Sequence, residues 1–150
     1  MTVRVQSEDF DLGHELDALT RGNTGIGGLC SFVGLVRDMN DGSGVGGMVL
    51  EHYPGMTEKM LEEIEAQAHE RWPLQASLII HRYGALQPGD RIVLVAAASP
   101  HRDAAFQACN FLIDWLKTKA PFWKAEQLDS GETRWVEARE GDEKAASKWQ

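Results

Sequence analysis

The spacing of hydrophobic residues along the chain predicts a mixture of helices and strands. Apolar side chains three and four positions apart predict helices over 10–19, 58–71 and 105–116. Alternating or continuous apolar residues predict strands over 2–6, 29–37, 48–53, 76–83, 91–98, 123–127 and 133–138. Because this order lacks a strict strand–helix–strand rhythm, it favours an α+β fold, with an antiparallel or mixed sheet and packed helices in a single domain spanning 1–150.

Polar residues and prolines mark the predicted ends of the helices. Ser7 and Thr57 are predicted to cap the first two helices, because their hydroxyls can accept hydrogen bonds from free amides. Ser99 is predicted to cap the third, with Pro100 at its first helical position. Pro121 is predicted to end that helix, since proline cannot continue it.

Two polar segments are predicted to be loosely held. Residues 38–47 are rich in glycine and predict a mobile loop. Within them, 42–47 matches the pattern G-x-G-x-x-G, but the segment leads into a strand, whereas a dinucleotide site requires a helix there. The polar residues 140–150 predict a loose tail.

The composition narrows the class of protein. The 150 residues are 43% hydrophobic and 25% charged, which is typical of a soluble globular domain. The longest apolar run, 92–98, is too short to span a membrane, and the N-terminus has no apolar signal core. Two cysteines cannot build a disulfide scaffold, so the cytoplasm is the expected compartment. The net charge of -8 disfavours nonspecific binding of nucleic acid.

The sequence contains no pattern that predicts a metal or cofactor. The five histidines and two cysteines are dispersed, and neither H-E-x-x-H nor C-x-x-C occurs. Cys30 falls in a predicted strand and Cys109 on an apolar helix face, which favours packing over nucleophilic chemistry. We therefore expect neither a metal nor a cofactor.

A short basic segment stands out from this acidic background. Lys117, Lys119 and Lys124 lie between residues 115 and 125, where the chain has no acidic residue. Screening limits the reach of distant charges to about 8–10 Å, so this segment can bind an anion. The simpler interpretation is that the lysines complement the dipole at a helix C-terminus.

The lysines have different predicted surroundings. Lys117 follows Ile113 by one helical turn, at the edge of the apolar stripe, where partial desolvation would favour a neutral amine. Lys124 opens a strand beside Phe122 and Trp123, two aromatic residues that could form the wall of a pocket.

Two further places could bind an anion. His101 and Arg102 lie at a predicted helix N-terminus, where free amides and the helix dipole attract negative charge. Alternatively, Arg102 pairs with Asp103 and His101 is an ordinary surface residue. Arg37 ends a predicted strand, and taken alone it is most simply a surface arginine.

Six blocks together resemble the molybdopterin synthase catalytic (large) subunit family. They are Phe-Val-Gly-Leu-Val-Arg (32–37), Leu-Glu-His-Tyr-Pro-Gly-Met-Thr-Glu (50–58), His-Arg-Tyr-Gly-Ala-Leu (81–86), Pro-His-Arg-Asp-Ala-Ala-Phe (100–106), Leu-Lys-Thr-Lys-Ala-Pro-Phe-Trp-Lys (116–124) and Arg-Trp-Val-Glu-Ala-Arg (134–139). The resemblance covers roughly residues 2–140. It departs mildly in the glycine-rich loop 38–47 and in the tail after Arg139.

The resemblance implies an α/β-hammerhead fold and a sulfurtransferase of molybdenum cofactor biosynthesis. Such an enzyme converts cyclic pyranopterin monophosphate (precursor Z) to molybdopterin by inserting two sulfurs. The sulfur donor is the C-terminal thiocarboxylate of a small ubiquitin-like subunit. The implied assembly is a homodimer of large subunits with one small subunit at each end, a heterotetramer that requires no metal or redox cofactor.

The resemblance also implies the site residues. Lys117 and Lys124 match the two catalytic lysines. The implied substrate-binding residues are Leu35, Val36, Arg37, His101, Arg102, Lys117, Lys124, Ala125 and Glu126. The stretch that ends at Arg37 is contributed across the dimer interface in this family.

Two other classes of function remain open from the sequence. One is a noncatalytic dimeric module that binds a phosphorylated metabolite or the C-terminal carboxylate of a partner; it would not depend on the lysines. The other is an enzyme that forms a Schiff base through Lys117, which borohydride would trap.

Overall fold

The computed structural model describes residues 1–40, 43–128, 131, 133–136 and 146–149. The strands are β1 (Thr2–Gln6), β2 (Gly28–Leu35), β3 (Met39–Asn40), β4 (Ser43–His52), β5 (Ala76–Arg82), β6 (Gly84–Leu86), β7 (Arg91–Ser99), β8 (Phe122–Leu128) and β9 (Thr133–Val136). The helices are α1 (Leu12–Thr20), α2 (Met56–Arg71) and α3 (Arg102–Lys119). This mixture confirms the predicted α+β class.

The first sheet has the strand order β1-β5-β7-β2. β1 runs parallel to β5, and the other neighbours are antiparallel. Alternate side chains of β5 and β7 point to opposite faces, as the two-residue period of a strand requires. On one face, Leu78, Ile80 and Leu94 pack with Phe10 and with the apolar side of α1. Because both faces are covered, β7 is apolar along nearly its whole length, as a central strand should be.

The opposite face of the first sheet holds the main core. Ile79 and Val95 pack there against Phe111 and Leu112 of α3, together with side chains of α2. Cys109 of α3 donates a weak hydrogen bond from Sγ to the carbonyl oxygen of Val95, at 3.8 Å. α3 follows the end of β7 after two residues and runs back over the sheet, so its C-terminus returns to the edge where β7 begins.

The second sheet has the order β3-β4-β8-β9, with β6 also paired to β4. Its described pairs are antiparallel. The register places Lys124 of β8 opposite Leu50 of β4, and Phe122 opposite His52. Leu50 is buried in the main core, so this sheet is attached to the same hydrophobic interior as the first.

A buried polar cluster ties α2 to β1 and β5. The Glu65 carboxylate accepts hydrogen bonds from Ser77 Oγ at 2.5 Å and from the Thr2 amide at 3.2 Å. Because the Ser77 hydroxyl proton is used on Glu65, His69 Nε2 donates to Ser77 Oγ, at 2.7 Å. Burial raises the pKa of Glu65 and lowers that of His69.

The helix caps differ from the predictions made for Ser7 and Ser99. α1 is capped by Asp11, whose Oδ1 accepts a hydrogen bond from the His14 amide at 2.9 Å, so Ser7 lies outside the helix. α3 starts at Arg102 with His101 as its N-cap. Ser99 ends β7, although its Oγ still accepts from the His101 amide at 3.2 Å. Because the strand pairing of β7 continues to Ser99, α3 begins after Pro100, and Pro100 is not its first helical residue.

The prediction that Thr57 caps α2 was also wrong. The N-cap is Gly55, whose φ of 85° is a conformation that glycine adopts without steric cost. Glu58 Oε2 accepts from the Gly55 amide at 2.6 Å. Thr57 lies inside the helix, fully buried, and its Oγ1 accepts from the Tyr53 amide and donates to the Pro121 carbonyl.

Most of the described part of the predicted loop 38–47 belongs to two paired strands. β3 pairs with the start of β4, where Met39 lies opposite Gly44 and Asn40 opposite Ser43. Residues 41 and 42 lie outside the described part of the chain. Backbone hydrogen bonding to a neighbouring strand overrides the weak strand propensity of glycine here. The strand β6 was not predicted either, because three residues are too few to show a period.

Part of the predicted loose tail is packed. Residues 140–145 and 150 lie outside the described part, but Ala146 is buried. Trp149 meets the rings of Trp72 and Phe111 edge-on, and its Nε1 donates to Asp114 Oδ2 at 2.7 Å. The indole therefore anchors residues 146–149 on α3.

Across the described residues, no helix combines the length and the apolar character needed to cross a bilayer.

We predict that Gly27→Ala destabilises the fold. A Cβ on Gly27 would lie 2.2 Å from the carbonyl oxygen of Pro100, at the point where β2 meets the approach to α3. The backbone must move to relieve this clash, which we expect to cost about 1–3 kcal/mol of unfolding free energy. Urea unfolding measures the loss.

Gly13→Ala in α1 is the matched control for that substitution. Its nearest Cβ contact is an ordinary 3.6 Å, and alanine favours a helix more than glycine does. If Gly27→Ala proved as stable as Gly13→Ala, the close approach of the backbone at Gly27 would be contradicted.

Candidate active site

Lys117 and Lys124 lie where the end of α3 meets the start of β8. Lys117 occupies the last turns of α3 and is exposed, so the predicted desolvation of its amine was wrong for the protomer. Lys124 is half-buried on β8. The chain reverses between them at Ala120 and Pro121, where the Phe122 amide donates to the Ala120 carbonyl at 2.9 Å. A proline and a short turn thus bring the two basic elements together.

His81 is a buried residue close to both lysines. The residue is only 4% exposed, and burial lowers its pKa to about 3. The positive charges of Lys124 and Lys117 lower the pKa further, which places both ammonium groups near one imidazole. The structure therefore brings together the two lysines that the sequence predicted.

The imidazole of His81 is held in a defined orientation. Its Nδ1 lies 2.8 Å from the carbonyl oxygen of Arg82, so Nδ1 carries the proton and donates it. The ring stacks on Phe122, with centroids 3.6 Å apart and an interplanar angle of 16°. His52 completes the group, 4.4 Å from the ring of Tyr83 and 6.3 Å from that of Phe122.

The two aromatic residues predicted as pocket walls lie on different faces of β8. Phe122 and Lys124 are two residues apart and share a face, whereas Trp123 points the other way. Trp123 is 43% exposed and contacts Tyr53, the residue that follows β4, with ring centroids 5.2 Å apart. Phe122 therefore lies beside the lysines, and Trp123 forms an exposed aromatic surface with Tyr53.

Ala125 and Glu126 follow Lys124 along β8 and are both buried. Glu126 shares the face of Lys124, since the residues are two positions apart, and the register places Arg134 of β9 opposite it. Ala125 lies opposite Val49 on the other face. Of these two predicted substrate-binding residues, Glu126 is on the lysine side of the strand and Ala125 is not.

The stretch Leu35, Val36 and Arg37 lies at the same edge of the first sheet as His81. The register aligns Gly34 with Val93 and Val93 with His81 across β2, β7 and β5. Arg37 is exposed and lines an open cleft of about 490 Å³ with Val36, Asp38, Pro88 and Gly89. Val36 is buried and exchanges backbone hydrogen bonds with Gly89 and Asp90, whereas Leu35 is exposed.

His101 and Arg102 are remote from the lysines within one protomer. They begin α3, and Lys117 is fifteen residues further along it, a distance of about 22 Å at 1.5 Å per residue. Both are exposed. The hydrogen bond that the structure shows for Asp103 is the one it accepts from Gln107, at 2.7 Å. The predicted anion site at this terminus is thus a separate feature of the protomer.

The arrangement at the lysine end is suited to holding an anion. The C-terminus of α3 favours cations through its dipole, and Lys117 and Lys124 both act there on the uncharged imidazole of His81. Such groups can stabilise negative charge that develops on a bound substrate. Within the described part of the chain, no group of three or more His, Cys, Asp or Glu side chains could hold a metal ion.

Sequence reasoning missed the part played by His81. The block 81–86 contributed to the family resemblance, but no role was assigned to the histidine in it. No local signal links His81 to a lysine more than thirty residues away, because the contact depends on how β5, α3 and β8 meet. Only the apolar residues that surround it in the predicted strand indicated that this position is internal.

The chain was compared with known proteins. The family model described as MoaE protein matches residues 5–119. A molybdopterin synthase catalytic subunit from Pseudomonas aeruginosa is 58% identical over 150 residues, covering 100% of this chain and 99% of that protein.

Solved structures agree with that match. A molybdopterin biosynthesis MoaE protein from Burkholderia ambifaria superimposes with a TM-score of 0.84 at 51% identity, covering 99% of this chain and 97% of the other. A molybdopterin synthase from Staphylococcus aureus superimposes with a TM-score of 0.82 at 30% identity, covering 89% and 96%.

We predict that the fold loses stability in mild acid because His81 is buried without a proton. The unfolded chain binds a proton at His81 near pH 6.5 and the folded protein only near pH 3, so lowering the pH between these values favours unfolding. Each pH unit below 6.5 lowers the free energy of unfolding by about 1.4 kcal/mol, so about 2 kcal/mol is lost at pH 5. Urea unfolding near pH 7.5 and near pH 5 measures it.

His81→Phe provides the control for this pH dependence, because phenylalanine has no proton to bind. The variant should retain the smaller dependence that other groups contribute, such as His69, whose pKa burial also lowers. An unchanged pH dependence in His81→Phe would show that His81 titrates normally in the folded protein.

Proposed function

Because the chain belongs to the MoaE protein family, we propose that it acts as the catalytic subunit of a molybdopterin synthase. The observation that carries this proposal is that the end of α3, with Lys117, and the start of β8, with Lys124, come together at the buried ring of His81, on which Phe122 stacks. The reaction is the conversion of cyclic pyranopterin monophosphate to molybdopterin by insertion of two sulfurs. The sulfur comes from the C-terminal thiocarboxylate of a small ubiquitin-like subunit.

The charges of the reactants explain why the site needs cations. A cyclic phosphate and a thiocarboxylate are both anions, while the whole chain has a net charge of -8. Screening confines the repulsion of distant carboxylates to about 8–10 Å, so local cations decide whether an anion binds. Lys117, Lys124 and the exposed Arg37 supply positive charge at one edge of the molecule.

The two lysines have different positions and so different proposed roles. Lys117 is exposed at the end of α3, where an incoming C-terminal tail can reach it. It orients the thiocarboxylate and stabilises the charge that develops during acyl transfer. Lys124 is half-buried beside Phe122, and it assists proton transfer or holds the pterin while the cyclic phosphate opens.

The complete site requires a second copy of the chain. His101 and Arg102 lie about 22 Å from Lys117 along a rigid helix, so they reach a substrate at the lysines only from the partner protomer. Within one protomer, Arg37 lies at the same end of the first sheet as His81 and the lysines. The family resemblance instead assigns the stretch that ends at Arg37 to the neighbouring subunit. A homodimer thus completes two equivalent sites, each open to one small subunit.

We further infer that residues 1–150 act as one domain and that the protein works in the cytoplasm. Both cysteines are free thiols in the structure, which agrees with a reducing compartment.

We predict that Lys117→Ala abolishes synthesis while the protein stays folded. Removing the ammonium group leaves the developing charge on the thiocarboxylate without its partner, and loss of one such donor typically costs about 100–1000-fold in kcat. The assay combines the purified chain, precursor Z and a thiocarboxylated small subunit, and detects molybdopterin as its fluorescent oxidation product. Thermal unfolding reports the fold.

Lys119→Ala is the matched control in that assay. Lys119 belongs to the same basic segment, but its ammonium lies 5.1 Å from the ring centroid of Trp115, on the outside of α3. It should retain wild-type activity. If Lys117→Ala were as active as Lys119→Ala, the catalytic assignment would fail. If a folded wild-type dimer bound its own small subunit without forming product, the noncatalytic binding module would be favoured.

We predict that two inactive variants restore each other when they share a dimer. A dimer of one Lys117→Ala protomer and one Arg102→Ala protomer has one intact site and one doubly altered site. Random reassortment of equal amounts should therefore give about a quarter of wild-type activity, since half of the dimers are mixed. Reassortment of separately purified variants, followed by the same assay, measures the recovery.

The opposite result would contradict the shared site. If Lys117 and Arg102 served the same protomer, each mixed dimer would have two damaged sites and no activity would return. Wild-type protein carried through the same reassortment shows how much activity the procedure itself costs.

A further inference from the structure

We propose that His81 is a positioning residue for Lys124: its ring supports Phe122 and thereby fixes the direction in which Lys124 enters the site. The inference deepens the proposed function and rests on it for the role of Lys124. It gives a task to a buried histidine that the chemistry proposed above does not use.

The stack between His81 and Phe122 is the first link. The rings lie nearly parallel, at 16°, with centroids 3.6 Å apart. Phe122 is the first residue of β8, immediately after the turn at Pro121, and in the strand ladder it lies opposite His52, the last residue of β4. Phe122 and Lys124 share a face of β8. A shift or rotation at Phe122 therefore changes where the Lys124 side chain points.

The second link is that the β5 backbone carrying His81 is held rigidly. β5 lies inside the first sheet, where His81 is paired with Val5 of β1 on one side and with Val93 of β7 on the other. The hydrogen bond from Nδ1 to the Arg82 carbonyl limits rotation of the ring. His81 is thus anchored by two neighbouring strands and by its own backbone.

The third link is that the stack joins two sheets. Among the described strands, β8 pairs with β4 and β9, and β5 pairs with β1 and β7. No backbone ladder between β5 and β8 sets their relative position. The contact between the rings of His81 and Phe122 connects the two sheets beside the lysines.

The uncharged state of His81 suits this role. Lys124, Lys117 and His52 are the titratable groups that face the ring, and the two lysines contribute positive charge. A protonated imidazole would repel both lysines, whereas the neutral ring packs beside them at no electrostatic cost. The low pKa, about 3, keeps the ring neutral throughout the physiological range.

The test compares two apolar replacements of different shape. His81→Phe keeps a flat ring that can stack on Phe122, and His81→Leu fills similar volume without one. Leucine should lower kcat by about tenfold or more, because small displacements of a reacting group are costly, while phenylalanine should stay within about threefold of wild type. Affinity for the small subunit should be unchanged in both.

This pair separates positioning from simple packing. Phenylalanine is larger than histidine, and overpacking is expected to destabilise His81→Phe more than His81→Leu. A role in packing alone would make kcat follow the melting temperature, so that leucine was the better replacement. Wild-type kcat in His81→Leu, or a loss in His81→Phe equal to that in His81→Leu, would overturn the proposal.

A double-mutant cycle tests the route through Phe122. Phe122→Leu should lower kcat about as much as His81→Leu, and the double variant should be no slower than either single variant. Multiplied losses in the double variant would show that the two rings act independently. His69→Leu is the matched control, because His69 is a partly buried histidine of the Glu65 cluster; it should lower stability and leave kcat unchanged.

A measurement that does not depend on enzyme activity keeps this test separate from the proposed function. Lysines labelled by reductive ¹³C-methylation give separate NMR signals, and Lys124→Arg identifies the one from Lys124. That signal should shift in His81→Leu and remain in place in His81→Phe. An unmoved signal in His81→Leu would overturn the positioning role, whereas a wild-type protein that makes no product would overturn only the function.

Discussion

The packing of α3 along β7 is the constraint on which the rest of the site depends. Phe111 and Leu112 are fully buried, and with the neighbouring small residues they hold the helix flat against the first sheet. A helix held in this way cannot bend, so the distance between its ends is set by its length alone. The cations at its two ends are therefore too far apart to serve one substrate in one protomer. The proposed site therefore combines residues of two protomers.

The same packing explains how an acidic protein can present a cationic site. The C-terminus of α3 returns to the edge of the sheet where β5 ends, and β8 starts there after a single turn. Lys117 and Lys124 converge at this edge, where the helix dipole favours positive charge. The many carboxylates elsewhere are largely screened. His81 belongs to this junction as its uncharged, buried support.

The family resemblance read from six sequence blocks is confirmed by the family match and by relatives that cover nearly the whole chain. Local predictions failed where a polar residue had more than one possible role. Ser7, Thr57 and Ser99 are all good capping residues, but Asp11, Gly55 and His101 occupy the caps. The hydroxyl of Thr57 instead bridges Tyr53 and Pro121, a contact set by the second sheet.

The sequence by itself determined the helices, most strands, the α+β class and the family, and it singled out the two lysines that are proposed to be catalytic. Hydrophobic periodicity and unusual blocks of residues are local properties, and they can be read without knowing what packs against what. Only the tertiary structure decided that His81 lies beside those lysines and that Arg102 does not. These relations join residues from different elements, and they depend on strand register and on the direction of α3 across the sheet. Neither of these is encoded in any short stretch of sequence.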